Sequence, residues 1–240
     1  MSNKRAVILA GGKGTRLRPY TVVLPKPLMP VGEYPILEVI IRQLAHFGFD
    51  HITITVNHQA DLIKSFFGDG SKWNIKIDYS LEDKALSTMG PLTLIKNLPE
   101  NFLVMNGDIL TDLNFGEFYE NHVNQKSFFT ISSAVREQIN LYGVLFKNEQ
   151  NKLIGFSEKP KNTFLVSMGV YMANRQVLDY IPENTTYGFD QLMLQFLEKN
   201  KSVEISEFNG YWLDIGRPDD YMQAIEEFEK IKNLFLHEQV

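Results

Sequence analysis

Strand-like and helix-like stretches alternate along the first 110 residues, and this alternation limits the possible folds more than any other feature of the chain. Residues 6–10 form a short apolar run typical of a buried strand, and residues 36–47 carry apolar side chains at helical spacing until Gly48. His51–Val56 alternates as a strand, and residues 102–105 form another buried strand. Strands separated by helices favour an α/β fold with a parallel sheet covered on both faces.

The remaining patterns extend this prediction to the whole chain. Five prolines within residues 18–35 exclude a regular helix there, and Pro35 suits the first position of the helix that follows. Further strands are predicted at 75–79, 128–135, 142–147, 153–157 and 164–171, with a hairpin turn at 148–152. Further helices are predicted at 61–67, 91–97, 175–181, 188–199 and 219–236. We therefore predict one domain, residues 1–240, whose halves share one sheet and carry different ligands.

Composition excludes several classes of function. The formal net charge is −5, which argues against a protein that coats nucleic acid and favours a few local cations that bind a small phosphate. The chain has no cysteine, so disulfides, thiolate metal sites and a cysteine nucleophile are excluded. Its N-terminal apolar run is too short for a secretion signal, and no apolar run is long enough to span a membrane. We expect a cytoplasmic protein that binds neither nucleic acid nor membrane.

A glycine-rich loop, LAGGKGTRLRP at residues 9–19, directly follows the first strand. Backbone N–H groups of glycines can approach an anion closely, so the loop predicts a phosphate site. It is not a P-loop, because Gly14 follows Lys13 where serine or threonine is required. It does not match the dinucleotide fingerprint either, because Pro19 disfavours an immediate long helix. Lys26 stands between two prolines, where a stiff backbone lowers the entropy lost on meeting a ligand.

The segments GGKGTRLRP and PKPLMPVGEYPILEVII together resemble the signature of the sugar-1-phosphate nucleotidyltransferases, and further similar blocks extend over nearly the whole chain. The resemblance implies a Rossmann-like, mixed, mostly parallel sheet flanked by helices. About 1–110 would form the nucleotide-binding half, and about 111–240 the sugar-binding half. It also implies an enzyme that joins a nucleoside triphosphate to a sugar 1-phosphate and releases pyrophosphate. Positioning and charge stabilisation would then dominate catalysis.

The resemblance assigns residues to the nucleotide side of this reaction. Arg16 would meet the departing pyrophosphate, Lys26 would neutralise charge near the α-phosphorus, and Asp108, at the end of a buried strand, completes the catalytic set. The residues implied to bind nucleotide are Leu9, Ala10, Gly11, Gly12, Gly14, Thr15, Arg16, Lys26, Asn57, Glu82, Thr88, Gly90 and Asp108.

The resemblance also assigns the metal and sugar sites. Asp108 and Asp214 would hold Mg²⁺, which prefers one or two carboxylates together with substrate phosphates. Glu158, in the segment Glu158-Lys159-Pro160, would accept hydrogen bonds from sugar hydroxyls, and Lys159 would pair with the sugar phosphate. The full set implied for the sugar phosphate is Gly143, Glu158, Lys159, Ser167 and Gly169.

Two departures from the family pattern leave the substrates open. Ser87 and Met89 replace smaller residues of the L-G-T-A-G segment, and Ser167-Met168-Gly169 stands where relatives often have Asn-Ala-Gly. Pro91 and Leu92 favour the mannose-1-phosphate guanylyltransferase type, here without its left-handed β-helix domain, and hence GTP with a mannose- or heptose-like 1-phosphate.

The sequence leaves open two alternative functions and one question of assembly. One is transfer from UTP or dTTP to N-acetylmuramate, N-acetylglucosamine or glucose 1-phosphate. Another is a non-catalytic paralogue that binds a nucleotide sugar in a regulatory role. The third concerns assembly, since a homodimer is left open.

Overall fold

A seven-stranded mixed sheet runs through both halves of the chain in the computed structural model, which describes residues 4–57 and 59–237. The strands are β1 (Arg5–Leu9), β2 (Pro30–Val31), β3 (Tyr34–Pro35), β4 (His51–Val56), β5 (Lys76–Leu81), β6 (Asn101–Asn106), β7 (Ile109–Thr111), β8 (Phe129–Ile139), β9 (Val144–Lys147), β10 (Leu153–Ser157), β11 (Lys161–Asn174), β12 (Glu204–Glu207) and β13 (Trp212–Asp214). The α-helices are α1 (Ile36–His46), α2 (Ala60–Phe67), α3 (Phe115–Asn124), α4 (Phe189–Glu198) and α5 (Pro218–Ile231).

The order of the main sheet is β12-β8-β11-β6-β1-β4-β5. β1 is parallel to both β4 and β6, β4 is parallel to β5, and β12 is parallel to β8. β11 runs antiparallel between β6 and β8 and joins the two halves. The prediction of one mixed, mostly parallel sheet shared by both halves is therefore confirmed.

Two hydrophobic cores cover the two faces of this sheet. Along β1, Ala6 and Ile8 belong to the core beneath α1, α2 and α5, whereas Val7 belongs to the core beneath α4. All three side chains are fully buried. This is why β1 is a continuous apolar run: successive residues of a strand point to opposite faces, and both faces are covered here.

Most predicted elements are present, with shifted ends. α1 begins at Ile36, so Pro35 lies one position before the helix instead of at its first residue. The segments predicted as helices at 91–97 and 175–181 are 3-10 helices, Gly90–Leu94 and Arg175–Tyr180. The final predicted helix ends earlier, at Ile231, and is followed by a 3-10 turn.

The larger difference concerns β8 and β11, which are longer than the sequence predicts. They pair from Ala173↔Phe129 out to Lys161↔Ile139, with one irregularity between Ser167 and Tyr171. Beyond this ribbon, β9 and β10 form a separate two-stranded sheet whose turn spans 148–152, as predicted. Within the described residues, no helix is both long and apolar enough to cross a lipid bilayer.

Candidate active site

The carboxyl ends of the central parallel strands define a cavity of about 360 Å³. Leu9 is in register with both Thr55 and Asn106, so three neighbouring strands end at this edge. Ligands of open α/β sheets collect at such an edge. The cavity is lined by Leu9, Gly11, Gly12, Lys13, Arg16, Thr55, Glu82, Ala85, Ser87, Thr88, Asn106 and Asp108.

A second cavity of about 240 Å³ lies on the other side of the glycine loop. It is lined by Gly12, Gly14, Thr15, Arg16, Lys26, Asp108 and Gly216. Gly12, Arg16 and Asp108 belong to both cavities. An elongated ligand that occupied both spaces would therefore have a cation and a carboxylate at its midpoint.

The shape of the loop depends on Gly14, which cannot be replaced easily. Gly14 has a φ of +59°, and its carbonyl accepts hydrogen bonds from Leu17 N–H (2.9 Å) and the Thr21 hydroxyl (2.7 Å). A Cβ on Gly14 would lie 2.9 Å from Thr21 Cγ2. Around Gly12, by contrast, no heavy atom lies within 4 Å of the Cβ position, so that side of the residue is open.

Lys26 and Asp108 form an ion pair at the base of the second cavity. Both side chains are largely buried, and the second carboxylate oxygen of Asp108, Oδ1, is buried without a hydrogen-bond partner. Lys26 lies in a 3-10 turn flanked by Pro25 and Pro27, so its backbone is fixed. A buried, unpartnered carboxylate oxygen is costly unless a ligand completes it.

Asp214 reaches the same place through a small antiparallel sheet of β7 and β13. Asp214 pairs with Ile109, and Ile215 N–H donates to the carbonyl of Asp108 at 3.0 Å. Burial raises the pKa of Asp214, the charge of Asp108 adds to this, and Lys26 and Arg16 oppose it. The predicted catalytic and metal residues, Arg16, Lys26, Asp108 and Asp214, are therefore close together.

This pair of carboxylates fits a hard divalent cation. Two carboxylates are drawn together against their mutual repulsion, and one oxygen of Asp108 has no hydrogen-bond partner among residues 4–57 and 59–237. Among residues 4–57 and 59–237, no three histidine, cysteine or acidic side chains gather into a metal-binding group. A cation here would thus take its remaining ligands from substrate phosphates and water, as Mg²⁺ commonly does.

Glu82 lies at the opposite end of the first cavity. It is buried, its Oε2 accepts a hydrogen bond from Leu86 N–H at 3.2 Å, and burial raises its pKa. A side chain on Gly11 would collide with the Glu82 carboxyl, which makes glycine necessary there. The Asn57 amide donates to the carbonyl of Gly11. Gly11, Asn57 and Glu82, all predicted nucleotide residues, therefore support one another.

The 87–90 segment is divided between the cavity and the core. Ser87 and Thr88 line the cavity, and Thr88 Oγ1 also accepts a hydrogen bond from Phe189 N–H at 2.8 Å, at the start of α4. Met89 is fully buried in the core. Gly90, predicted to contact the base, is also buried and donates its N–H to the carbonyl of Tyr187. Of the two residues in this segment that depart from the family pattern, only Ser87 lines the cavity.

The predicted sugar residues fall into two groups, of which the first adjoins the cavity. Gly169 has a φ of +75°, and a Cβ there would lie 2.6 Å from Asn106 Nδ2, an amide that lines the cavity. Ser167 Oγ accepts from Gly169 N–H (3.2 Å) and donates to the Tyr171 hydroxyl (3.1 Å). The irregular β8–β11 pairing between Ser167 and Tyr171 thus places this turn beside the strand edge.

The second group lies at the base of the β9–β10 hairpin. A Cβ on Gly143 would lie 3.1 Å from Glu158 Oε2, so these two predicted residues are neighbours. Glu158 and Lys159 are both exposed, and Lys159 has a φ of +45°. These three residues are not among those lining the two cavities.

Several cavity residues were not assigned from the sequence. Thr55 lies in a predicted strand, and Asn106 directly follows one. Their register with Leu9 was the signal that could have identified them. Lys13 lies inside the glycine loop but lines only the first cavity. Gly216 follows Asp214 by two residues. It lines the second cavity because the β7–β13 sheet positions this segment beside it.

A sequence model of the family described as "Nucleotidyl transferase" matches residues 5–231. The chain belongs to this family. Members generally use a divalent metal ion, in keeping with the paired carboxylates. The resemblance seen in the sequence is thus confirmed at the level of the family.

Relatives of this chain carry different substrate names. A Synechocystis protein named UTP–glucose-1-phosphate uridylyltransferase is 32% identical over 252 residues, which cover 96% of this chain and 65% of that protein. An Aneurinibacillus thermoaerophilus protein named D-glycero-α-D-manno-heptose 1-phosphate guanylyltransferase is 31% identical over 229 residues, which cover 93% of this chain and 98% of that protein. The chain therefore spans less than two thirds of the first relative and almost all of the second.

A solved structure supports the fold. HddC from Yersinia pseudotuberculosis, complexed with GMP-PN, matches with a TM-score of 0.71 and 27% sequence identity. The match covers 94% of this chain and 99% of that chain. The mixed sheet flanked by helices is therefore the architecture of solved proteins of comparable length.

Proposed function

We propose that this protein transfers a nucleotidyl group from a nucleoside triphosphate to a sugar 1-phosphate, giving a nucleoside diphosphate sugar and pyrophosphate. The observation that carries the proposal is the cluster of Arg16, Lys26, Asp108 and Asp214 at the strand edge beneath the glycine loop. Two cations and two carboxylates lie in or beside the second cavity, and Arg16 and Asp108 also line the first. This arrangement matches a reaction in which two anionic substrates must meet.

The chemistry requires no protein nucleophile. A phosphate oxygen of the sugar 1-phosphate attacks the α-phosphorus, a new P–O bond forms, and the bond to the β-phosphate breaks, so that pyrophosphate leaves with the electron pair. The barrier is largely the repulsion between the anions and the charge that develops on the leaving group. Lys26 would offset charge near the α-phosphorus, and Arg16, which lines both cavities, would offset charge on the pyrophosphate.

The glycine loop would orient the triphosphate. Gly12 lines both cavities and its Cβ position is open, so a phosphate can approach the backbone there closely. Asp108 and Asp214 would hold Mg²⁺, which when bound supplies charge neutralisation for the phosphates and fixes their geometry. Proton transfer from a protein side chain is not needed, because both reacting groups are phosphate oxygens.

The first candidate substrates are GTP and a manno-configured sugar 1-phosphate. The guanylyltransferase relative is covered over nearly its whole length, and HddC is the structural neighbour with GMP-PN bound. Glu82 at the end of the first cavity gives a physical reason, because guanine presents two adjacent N–H donors to one carboxyl group. Uracil presents only one.

Substitution of Glu82 tests the choice of base. Glu82→Gln keeps the shape but replaces one acceptor oxygen by an NH₂ donor that faces a guanine donor. We expect the preference for GTP over UTP, measured as the ratio of kcat/KM values, to fall by roughly 10-fold, within the 1–3 kcal/mol typical of one lost base contact. An unchanged ratio would contradict a role for Glu82 in reading the base.

Transfer from UTP to glucose 1-phosphate is the second candidate, and the Synechocystis relative supports it. N-acetylmuramate, N-acetylglucosamine and dTTP also remain open. A grid settles both choices: pyrophosphate release is measured with Mg²⁺ for GTP, UTP, dTTP, ATP and CTP against the 1-phosphates of mannose, heptose, glucose, N-acetylglucosamine and N-acetylmuramate. One strongly active combination would establish the reaction and both substrates.

The grid also separates an enzyme from a non-catalytic paralogue. A folded protein that binds nucleotide but releases no pyrophosphate in any combination would contradict the proposed enzyme and favour the paralogue. The homodimer considered from the sequence remains a proposal and concerns a surface outside this site. A cytoplasmic location remains a prediction, consistent with a chain that contains no cysteine.

A further inference from the structure

The floor of the first cavity contains a threonine whose hydroxyl lacks a partner. Thr55 is in register with Leu9 on the neighbouring strand, and both residues line this cavity. Thr55 is 1% exposed, and its Oγ1 is buried without a hydrogen-bond partner among residues 4–57 and 59–237. Because buried polar atoms are ordinarily hydrogen-bonded, this hydroxyl calls for something that completes it.

The threonine two positions earlier in β4 shows how such a hydroxyl is satisfied by the fold alone. Thr53 is equally buried and lies on the same face of the strand, since side chains alternate between the two faces. Its Oγ1 accepts hydrogen bonds from Arg5 Nε at 3.0 Å and from Arg5 Nη2 at 2.6 Å. The fold therefore accounts for the hydroxyl of Thr53 but not for that of Thr55.

Glu82 is the neighbour that the Thr55 hydroxyl can serve. Thr55 is in register with Ser80 of β5, and Glu82 follows Ser80 by two positions, so its side chain emerges on the same face. The N–H of Glu82 donates to the carbonyl of Val56 at 2.8 Å, which holds this end of β5 against β4. Thr55 and Glu82 both line the first cavity and are adjacent at its floor.

The surroundings of the Glu82 carboxyl act on its charge in opposite directions. Burial raises its pKa, whereas the Leu86 N–H and the Thr55 hydroxyl lower it. The shift has no contribution from the charged side chains that line the same cavity, which are Lys13, Arg16 and Asp108. The charged neighbours in the chain, Asp83 and Lys84, are exposed and do not contribute either. Two hydrogen-bond donors, and no cation, therefore favour the ionised form.

A small rotation would complete the contact between the two side chains. Oε2 of Glu82 accepts from Leu86 N–H at 3.2 Å, and the last torsion of a glutamate side chain is soft. A hydroxyl that donates to an ionised carboxylate makes a charge-assisted hydrogen bond, which is stronger than one to a neutral carboxyl group. The unpartnered hydroxyl thus gains most when Glu82 carries its charge.

The charge of Glu82 decides which base it can read. An ionised carboxylate only accepts hydrogen bonds, and guanine presents two adjacent N–H donors to it. Uracil presents one N–H donor beside a carbonyl acceptor, which repels an ionised oxygen and suits a protonated carboxyl group instead. Any group that holds Glu82 ionised therefore favours guanine.

We propose that Thr55 is a positioning residue that holds Glu82 ionised and thereby favours guanine over uracil in the first cavity. Thr55 acts through Glu82 and does not itself need to touch the nucleotide. The inference rests on the proposed function, because it takes the first cavity to hold the base of a nucleoside triphosphate.

Two substitutions of Thr55 test this role. Thr55→Val is nearly isosteric and removes the hydroxyl, whereas Thr55→Ser keeps it. Binding of GTP and of UTP with Mg²⁺ is measured by calorimetry without a sugar phosphate, from mildly acidic to neutral pH. The ratio of the two Kd values cancels the titration of the phosphates, which both nucleotides share.

We expect the wild type to prefer GTP and to lose this preference as the pH falls and Glu82 becomes protonated. In Thr55→Val the midpoint of the loss should lie about one pH unit higher, equivalent to one hydrogen bond to a charged group. Thr55→Ser should restore the midpoint of the wild type.

Thr53→Val is the matched control on the same strand face. It removes the acceptor of two hydrogen bonds from Arg5 and should lower stability to chemical denaturation, while leaving the midpoint of the base preference unchanged. Thr55→Val should change stability little, because its hydroxyl has no partner among the described residues. A marked loss of stability in Thr55→Val would reveal a structural role and overturn the proposal.

Three further outcomes would also overturn it: an unchanged midpoint in Thr55→Val, a shifted midpoint in Thr55→Ser, or a wild type that prefers UTP throughout. Nucleotidyl transfer itself stands in each of these cases, since pyrophosphate release tests it whichever base is preferred. A folded wild type that binds neither nucleotide would instead contradict the proposed function and this inference together.

Discussion

The strand-edge site and the arm are built in opposite ways. The arm, residues 135–165, consists of the outer part of the β8–β11 ribbon and the β9–β10 hairpin. At the strand edge, Lys26, Asp108 and Glu82 are largely buried and held by short-range contacts in a fixed backbone. In the arm, Gly143, Glu158 and Lys159 lie on an exposed two-stranded hairpin. The residues proposed for the phosphate chemistry are thus built into the central sheet, whereas those proposed to bind the sugar phosphate lie at an exposed hairpin. Rigid placement matters most where charge develops during a reaction.

The largest expected effect is at the buried site. Asp108→Asn keeps the shape of the side chain but removes the charge that pairs with Lys26 and would bind the metal. We expect kcat to fall by about 10²–10³-fold, as for loss of one preorganised electrostatic contact. Pyrophosphate release measures the effect, with the exposed Asp61→Asn as control. Near-normal Mg²⁺-dependent turnover in a folded Asp108→Asn protein would contradict its assignment.

The second prediction tests how tightly the nucleotide cavity is built. Gly11→Ala would force a methyl group against the buried Glu82 carboxyl, whereas Gly12→Ala meets open space. We expect Gly11→Ala to lower the free energy of unfolding by about 1–3 kcal/mol, and Gly12→Ala to change it by less than about 0.5 kcal/mol. Chemical denaturation measures both. Equal stabilities would mean that the cavity is looser than its contacts indicate.

A third, smaller effect concerns pH. The pKa of Asp214 is raised in the folded state, so the folded protein holds this proton more tightly than the unfolded chain does. As pH rises between the unfolded and the folded pKa, the folded state therefore loses stability. We expect Asp214→Asn to be more stable than the wild type at neutral pH without metal or substrate. The difference should vanish in acid. A less stable variant at neutral pH would contradict this cause.

The smallest expected effect is in the arm. Lys159→Gln removes one exposed charge, and exposed pairs contribute only about 0.2–1 kcal/mol. We expect the KM for the sugar phosphate to rise by roughly two- to fivefold, with little change in the KM for the nucleotide. Lys161→Gln, which loses its ion pair with Glu137, is the control. An equal rise in both KM values for Lys159→Gln would contradict a specific role of the arm in binding the sugar phosphate.

Much of the buried region could be predicted from the sequence. The strand at β1, the glycine loop and the carboxylate of Asp108 directly after a buried strand are local patterns, and they lie where the sequence placed them. The approach of Asp214 could not be derived from periodicity, because it depends on β7 and β13, each three residues long. The buried position of Gly90 depends on a hydrogen bond from its N–H to the carbonyl of Tyr187, a residue that is distant in the sequence.

The arm was harder to predict for a related physical reason. The sequence indicates its hairpin turn, yet the length of the β8–β11 ribbon depends on register between residues more than 20 positions apart. Nor does an alternating pattern show which face is covered, because exposed apolar residues such as Leu145 and Ile154 look like core residues in sequence. An exposed apolar surface therefore resembles a core in sequence until the structure shows which of its side chains are covered.

The ion pair between Lys26 and Asp108 has a consequence for the order of events at the site. In the free protein each charge neutralises the other, so neither is left alone in a poorly solvated place. A nucleotide that arrived alone would draw Lys26 to its phosphates and leave Asp108 without a counter-charge. If the nucleotide binds as its complex with a divalent cation, both residues exchange partners at once and the number of neutralised charges is conserved. If Lys26 meets the phosphates and Asp108 the metal, as proposed, the ion pair in the free protein favours a metal–nucleotide complex over the nucleotide alone.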